Sequence, residues 1–191
     1  MVSKATQKMH DIGYVPPKET WTPIDEALYG VDTLFRLPKE KTDELRFNAI
    51  KHAFNYWYEE SKWYHMYCNE FDFSPTSLKT YGDLDKVPLI SHRFFKAYLE
   101  GQEFVNWLMN ISINKVDRPK IKKQNPTMDD LIDVFADKGI MAVYSSGTSG
   151  RFSFIPKDQT TFMRSQYALG KMGISEMLEH WYDDSAYAYL C

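Results

Sequence analysis

Residues 140–158 read IMAVYSSGTSGRFSFIPKD, and this stretch decides the fold that we expect for the chain. An apolar run, Ile140 to Tyr144, precedes a polar segment, and a second apolar run, Phe152 to Ile155, follows it. Short apolar runs bounded by glycines are typical of β-strands. The sequence therefore predicts a strand, a loop and a second strand. The candidate site is the loop: Ser145, Ser146, Gly147, Thr148, Ser149, Gly150 and Arg151.

The loop combines two glycines with four hydroxyl residues and ends on an arginine. Glycines let the backbone turn its N–H groups toward one point, because no Cβ blocks the approach of a ligand. Consecutive N–H groups arranged in this way form a concave site for anions. A flexible hairpin turn is the alternative interpretation. An unbroken run of Ser, Thr and Gly is unusual in a chain with nine glycines, and it favours a site for a nucleotide phosphate.

Other motifs with glycines at fixed spacing do not match this chain. The P-loop requires G-x-x-x-x-G-K-[ST], but Gly170-Lys171 is followed by Met172, and Ser165 stands where the first glycine belongs. The dinucleotide motif G-x-G-x-x-G does not occur in the sequence. The nucleophile elbow G-x-S-x-G fails by one position, because residue 151 is arginine. A serine hydrolase is thus a remote alternative, and no base can be assigned to its serine.

The run Ser145–Gly150 resembles the phosphate-binding loop of the adenylate-forming superfamily, which includes acyl-CoA synthetases and luciferases. The common form continues with Lys-Pro-Lys, whereas residues 151–153 of this chain are RFS. The chain is more similar to acyl-protein synthetase and phenylacetate-CoA ligase. In both, a serine-rich loop is followed by a strand, an acidic residue and a long helix. Residues 153–158 (SFIPKD) and 87–96 (VPLISHRFFK) carry the same resemblance, which covers roughly residues 77–175.

This resemblance implies an α/β fold, in which a helical lead-in precedes the start of an adenylate-forming-enzyme-like domain. The implied order is strand, phosphate loop, strand, long helix and strand. It places the lead-in at residues 1–75 and the start of the nucleotide-binding domain at residues 76–191. We expect from it that the chain is the N-terminal part of a longer enzyme.

The resemblance also implies a reaction. A fatty or aryl carboxylic acid is joined to AMP from ATP with Mg²⁺, and the acyl group then passes to a thiol of CoA or of a protein. The loop holds the β- and γ-phosphates, and Arg151 contacts a phosphate in place of the family's lysine. The family's adenine-binding segment, acidic residues and C-terminal lysine lie beyond Cys191, so we do not expect this chain alone to complete a turnover.

Composition narrows the class of protein. A net charge of −3 and a pI near 6.0 give no general attraction to nucleic acid. The two cysteines, Cys68 and Cys191, form no disulfide or zinc pattern, which fits a reducing cytoplasm. The N-terminal segment MVSKATQKMHDIG has no apolar core of a signal peptide, and no apolar run approaches the length of a membrane span.

Apolar periodicity predicts the helices. The strongest is Lys41–Met66, where Leu45, Ala49, Ala53 and Trp57 fall on one face and Thr42 caps the start. Helices are also predicted at 24–30, 77–84, 91–99, 102–110, 127–138 and 158–181, with Thr127 capping the fifth of these and Gly139 ending it. Further strands are predicted at 111–116 and 186–191.

Three other features have a functional and a structural interpretation. Nine aromatic residues between Phe54 and Phe73 could line an acyl pocket, but core packing is favoured. His65 and Cys68 share a helix face, but two ligands do not make a metal site, and none is predicted. The basic stretch 115–123 is interpreted as a solvated loop rather than a phosphate-binding patch.

A second function remains open at this point. The chain is alternatively a non-catalytic domain that binds a partner protein through its helical half, with a vestigial phosphate loop. The departure from Lys-Pro-Lys at residues 151–153 is consistent with that alternative. The two hypotheses differ in whether the chain binds Mg-ATP.

Overall fold

The computed structural model describes residues 15–31, 36–96, 100–113, 116–144 and 153–171. This part of the chain is mixed α/β and mostly helical, with one small antiparallel sheet of two strands. The α-helices are α1 (Pro23–Tyr29), α2 (Lys39–Glu60), α3 (Lys62–Glu70), α4 (Gly101–Ile111), α5 (Met128–Ala136) and α6 (Gln159–Gly170). The strands are β1 (Ile140–Tyr144) and β2 (Phe154–Asp158), and 3-10 turns occupy Lys18–Thr20, Pro75–Ser77, Tyr81–Lys86 and His92–Lys96.

The two strands form a hairpin, which confirms the strand predicted on each side of the loop. They pair in antiparallel register from Ile140 opposite Asp158 to Tyr144 opposite Phe154. β2 continues past the end of the apolar run at Ile155 and includes Pro156, Lys157 and Asp158. A proline cannot donate to a strand ladder and is confined to edge strands, and β2 has one neighbouring strand in the described part of the chain.

The chain divides into two compact units, each assembled from separate segments. The terminal unit comprises Met1–Tyr56, Ser74–Lys86 and Met163–Cys191, and the hairpin unit comprises Trp57–Phe73 and Val87–Phe162, as far as these are described. The division at residue 75 into a lead-in and a nucleotide-binding domain stays a prediction.

The hairpin unit has an apolar core in which α4 and α5 pack against the two strands. Phe104 is almost fully buried, and its ring meets those of Phe135 and Phe154 edge-on at 6.3 and 4.9 Å between centroids. Edge-to-face geometry is favourable for aromatic pairs beyond the area that they bury. The other buried members of this core are Val105, Leu108, Met109, Ile111, Leu131 and Ile140.

The terminal unit has a smaller buried cluster, formed by Val15, Tyr29 and Tyr167. The ring of Tyr29 meets that of Tyr167 edge-on at 4.7 Å and lies 5.7 Å from that of Trp21. Trp21 is half-buried and packs against this cluster. This cluster attaches α1 to the second half of α6.

The predicted helix Lys41–Met66 is two helices, so that prediction was wrong in two respects. α2 begins at Lys39, and Thr42 is inside it, where its hydroxyl donates to the Pro38 carbonyl at 3.1 Å instead of capping the start. The helix ends before Ser61, whose extended backbone (φ −104°, ψ 101°) starts α3. The Ser61 hydroxyl accepts the Tyr64 N–H at 3.4 Å, as an N-cap does.

The shorter predicted elements are confirmed in part. α4 matches the helix predicted at 102–110, and α5 begins after its predicted cap, Thr127. α5 ends at Ala136, and Gly139 follows in the left-handed region (φ +71°). The predicted helices at 77–84 and 91–99 are 3-10 turns at Tyr81–Lys86 and His92–Lys96. The strand predicted at 111–116 is absent from its described residues, because α4 runs through Ile111.

The long helix predicted at 158–181 is confirmed as far as Gly170. Its remainder and the strand predicted at 186–191 lie outside the described residues. Within the described ranges, no helix is both long enough and apolar enough to cross a membrane.

Candidate functional site

All seven predicted phosphate-binding residues, 145–151, lie outside the described residues, and so does Phe152. Both flanks of the loop are described. β1 ends at Tyr144, and β2 begins at Phe154 directly opposite it in the strand register. The loop therefore connects the two arms of an antiparallel hairpin whose ends are held side by side.

The hairpin is attached to the core of its unit close to the loop. Phe154, the first residue of β2, is 3% exposed, and Ile140 at the other end of the hairpin is 1% exposed. The neighbouring Ile155 points the other way and is 46% exposed, as strand alternation requires. The arms of the loop are thus fixed by packing as well as by strand pairing.

β2 ends on an acidic residue, Asp158, and a helix begins at the next residue, Gln159. The Asp158 carboxylate accepts the Thr161 N–H at 2.6 Å, at the start of α6. A carboxylate in this position satisfies a backbone donor that has no partner inside the helix, and it is favoured by the helix dipole. The described part of the predicted order (strand, strand, acidic residue, helix) is therefore present.

The terminal unit contains a charged site that the sequence interpretation missed. Asp25 is 1% exposed, and Arg164 reaches it with two hydrogen bonds, Nε to Oδ1 at 2.8 Å and Nη2 to Oδ2 at 2.6 Å. The Thr22 N–H and hydroxyl donate to the same carboxylate at 2.9 and 2.8 Å. The motif Thr22-Pro-Ile-Asp25 signals a helix start, but nothing in the sequence indicates its arginine partner.

This environment changes two pKa values. Burial alone raises the pKa of Asp25, but the hydrogen bonds from Arg164 and Thr22 outweigh it, so the pKa lies below its ordinary value of 3.8. Burial, together with the negative charge of Asp25, raises the pKa of Tyr29 to about 12. At neutral pH the carboxyl is therefore ionised and the phenol is protonated, which suits a structural ion pair.

Lys171, which directly follows α6, contacts the C-terminal end of α1. Lys171 is 4% exposed, and its ammonium donates to the carbonyl of Leu28 at 3.2 Å and to that of Val31. The same ammonium lies 5.5 Å from the centre of the Tyr167 ring. Carbonyls at the end of a helix carry partial negative charge, so a cation there is favourable. Lys171 therefore has a structural role.

Neither cysteine chemistry nor metal binding finds support in the described part of the chain. Cys68 is fully buried, and this burial raises the pKa of its thiol although a hydrogen bond with Tyr64 opposes the shift. A protonated, buried thiol is a poor nucleophile. The ring of His65 packs on that of Tyr58 at 4.2 Å. The described residues contain no group of three potential ligands from His, Cys, Asp and Glu.

The aromatic stretch from Phe54 to Phe73 is divided between core and surface. Phe54, Tyr64 and Phe73 are buried, which is the packing role that the sequence favoured. Tyr56 and Phe71 are 47% and 58% exposed.

In the basic stretch 115–123, Lys123 pairs with Asp130 at 2.7 Å, and Arg118 donates to Asn110. These pairs agree with a solvated loop.

Comparisons of the chain with protein-family models, with curated proteins and with solved structures found no match.

Proposed function

We propose that residues 145–151 bind the phosphates of ATP and that the protein takes part in activating a carboxylic acid as an acyl-adenylate. The acyl group then passes to a thiol of CoA or of a protein. The observation that carries the proposal is the hairpin: a run of Gly, Ser and Thr connects two strands that are paired up to Tyr144 and Phe154. Both arms are attached to a packed core.

The physical argument starts from the charge of the ligand. A carboxylate attacking a nucleotide meets a polyanion, so the protein has to neutralise and align charge. The loop offers backbone N–H groups, four hydroxyls and one guanidinium, and it carries no acidic side chain. Such donors stabilise phosphate without bringing a competing anion near it. Fixed hairpin arms lower the entropy cost of ordering the loop around the ligand.

Magnesium fits this scheme as an ion that arrives with the nucleotide. No set of three acidic, histidine or cysteine side chains that could hold a metal occurs in the described ranges. The loop contains no carboxylate to hold a divalent cation, whereas its N–H and hydroxyl donors suit phosphate oxygens. The bound ion would neutralise part of the triphosphate charge.

Titration of the chain with Mg-ATP tests the proposal. We expect binding by the wild type and at least about tenfold weaker binding by the Gly147→Val, Gly150→Val double variant, because valine obstructs the backbone approach. Gly82→Val is the matched control, since a Cβ at Gly82 meets nothing closer than 3.8 Å. Equal affinity of wild type and double variant would show that the loop does not bind phosphate.

Two further ligands and one variant sharpen this test. Adenosine lacks phosphate and should bind much more weakly than ATP. Arg151→Ala should weaken Mg-ATP binding by roughly tenfold or more, since hydrogen bonds to charged groups contribute about 1.5–3 kcal/mol. Arg151→Lys should recover part of the loss, because it keeps the charge but not the forked geometry.

The alternative, a partner-binding domain with a vestigial loop, is favoured by one observation. Three large apolar side chains of the hairpin unit are well exposed: Met66 at 59%, Phe71 at 58% and Leu89 at 82%. Exposed apolar groups close together often mark interaction surfaces. The Tyr67 hydroxyl donates to the Leu89 carbonyl at 2.9 Å, and the Tyr67 ring lies 5.0 Å from that of Phe71. Absence of Mg-ATP binding in the wild type would favour this alternative.

A further inference from the structure

A cleft of about 490 Å³ lies within the terminal unit, between the start of α1 and one face of α2. Its volume falls in the range of small-molecule sites, about 300–1,000 Å³. None of its lining residues belongs to β1, β2 or the segment between them. Its lining residues are Trp21, Thr22, Pro23, Glu26, Leu45, Asn48, Lys51, His52 and Asn55.

The wall of the cleft at the start of α1 is held in place by hydrogen bonds. Trp21 Nε1 donates to the Pro16 carbonyl at 2.8 Å, which fixes the indole ring. The Thr22 hydroxyl donates to the Asp25 carboxylate, and Arg164 Nη2 donates to the same hydroxyl at 3.3 Å. The Thr22 and Arg164 groups belong to the network of the buried ion pair, so the wall has its hydrogen-bond partners without a ligand. A preformed wall reduces the cost of binding.

The opposite wall is a polar face of α2. Asn48 lies three and four residues before Lys51 and His52, and Asn55 lies four and three residues after them, so the four side chains lie along one side of the helix. Lys51, His52 and Asn55 are half-buried. A helix face turned toward a cleft is normally apolar when the cleft is part of a core. This face therefore suits a polar ligand.

Two side chains of opposite charge line the cleft. Glu26 and Lys51 both line it, yet neither forms an ion pair within the described part of the chain. Asn55 adds a buried side-chain oxygen, Oδ1, that has no hydrogen-bond partner among the described residues. Buried acceptors are nearly always satisfied in native proteins, and an unsatisfied one calls for a partner. The cleft thus presents one cationic group, one anionic group and one acceptor that needs a donor.

We propose that this cleft binds a small zwitterion, an amino acid with an apolar or aromatic side chain. The ligand's carboxylate lies against Lys51, and its ammonium supplies donors to Glu26 and Asn55. Its apolar part rests on the walls formed by Trp21 and Leu45. A molecule with both charges satisfies two groups that do not satisfy each other, which a simple anion or cation cannot do.

The experiment compares three probes of the same shape. L-phenylalanine carries both charges, 3-phenylpropionate lacks the ammonium, and phenethylamine lacks the carboxylate. Binding to the full chain is measured by ligand-observed NMR and calorimetry. We expect the amino acid to bind at least about tenfold more tightly than either analogue. Equal binding of the three probes, or no binding of the amino acid, would overturn the proposal.

Charge-reversal variants give a readout that does not depend on loss of binding. Glu26→Lys should shift the preference from phenylalanine to 3-phenylpropionate, and Lys51→Glu should shift it to phenethylamine. The matched controls are Lys41→Glu and Glu44→Lys, which replace an exposed pair of α2 outside the cleft, joined at 2.9 Å. An unchanged order of probes in both cleft variants would contradict the assignment of the two charged groups.

Asn55→Leu provides an independent test. Leucine removes the unsatisfied acceptor while keeping a similar volume. We expect this variant to be at least as stable to heat as the wild type and to bind phenylalanine several-fold more weakly. Undiminished binding by Asn55→Leu would show that the orphan acceptor does not serve the ligand.

Discussion

Arg164 and Asp25 are separated by 139 residues in the sequence, yet the guanidinium donates two hydrogen bonds to the carboxylate, at 2.8 and 2.6 Å. The Asp25 side chain is 2% exposed, and that of Arg164 is 21% exposed. The fork geometry of arginine matches a carboxylate, which makes this pair stronger than a single contact. The pair attaches the first turn of α1 to α6 and supports one wall of the cleft.

Removal of the arginine should destabilise the chain substantially. Arg164→Ala leaves the Asp25 carboxylate buried without its partner, and we expect a loss of about 3 kcal/mol in the free energy of unfolding. Arg46→Ala is the matched control. Arg46 is exposed and bonds the Tyr81 hydroxyl at 2.8 Å, so its loss should cost less than about 1 kcal/mol. Denaturant unfolding of both variants measures the difference, and equal losses would refute the importance of the buried pair.

The ion pair should also make stability depend on pH. The pKa of Asp25 is lower in the folded chain than its ordinary value of 3.8. A group with a depressed folded pKa binds fewer protons folded than unfolded, so its stabilisation is present above pH 3.8 and is lost as pH falls below it. Asp25→Asn lacks this contribution. The gap in unfolding free energy between wild type and Asp25→Asn should therefore narrow below about pH 4, and a constant gap would contradict the assignment.

A threonine that caps a helix can be compared with one that does not. Thr127 accepts the Asp130 N–H and donates to its carboxylate at 2.7 Å, so Thr127→Ala should cost about 1 kcal/mol. Thr42 is inside α2, where alanine has the higher helix propensity. Thr42→Ala should be neutral or slightly stabilising in thermal unfolding. A larger loss at Thr42 than at Thr127 would reverse the structural assignment of the two residues.

Phe154 attaches the loop end of the hairpin to the core. Phe154→Ala should lower the free energy of unfolding by about 3–5 kcal/mol, since it opens a cavity beside Phe104. The neighbouring Ile155 is half-exposed, and Ile155→Ala should cost about 1 kcal/mol or less. Similar losses for the two variants would mean that β2 packs through its other face.

The sequence predicted the elements whose signals are local. The strands on either side of the loop, α4, and the Thr127 cap of α5 all depend on residues within a few positions of each other. Short apolar runs on either side of a glycine-containing loop and a threonine three residues before an aspartate are visible in the sequence itself. The hairpin frame of the candidate site was therefore predictable, whereas the arrangement of the loop residues 145–151 remains a prediction.

The features that the sequence did not predict are of two kinds: helix boundaries set by a single capping residue, and contacts between residues far apart in the sequence. The apolar series Leu45, Ala49, Ala53 and Trp57 would reach residue 61 next, and there a buried serine ends the first helix and caps a new one. Thr42 was predicted as a cap because threonine is favoured at helix N-caps, yet the helix begins three residues earlier, at Lys39. The partners of Asp25 and of the α1 carbonyls, Arg164 and Lys171, come from the far end of the chain, and periodicity carries no information about such pairs.

Backbone amide shifts of the ¹⁵N-labelled chain during titration with Mg-ATP test the central claim most directly. The account predicts that residues 145–151 show the largest and saturable changes, because their N–H groups contact the phosphates. The Gly147→Val, Gly150→Val variant should lose these changes while keeping the rest of its spectrum. Saturable shifts confined to residues away from the loop, or no shifts at all, would contradict phosphate binding at this hairpin.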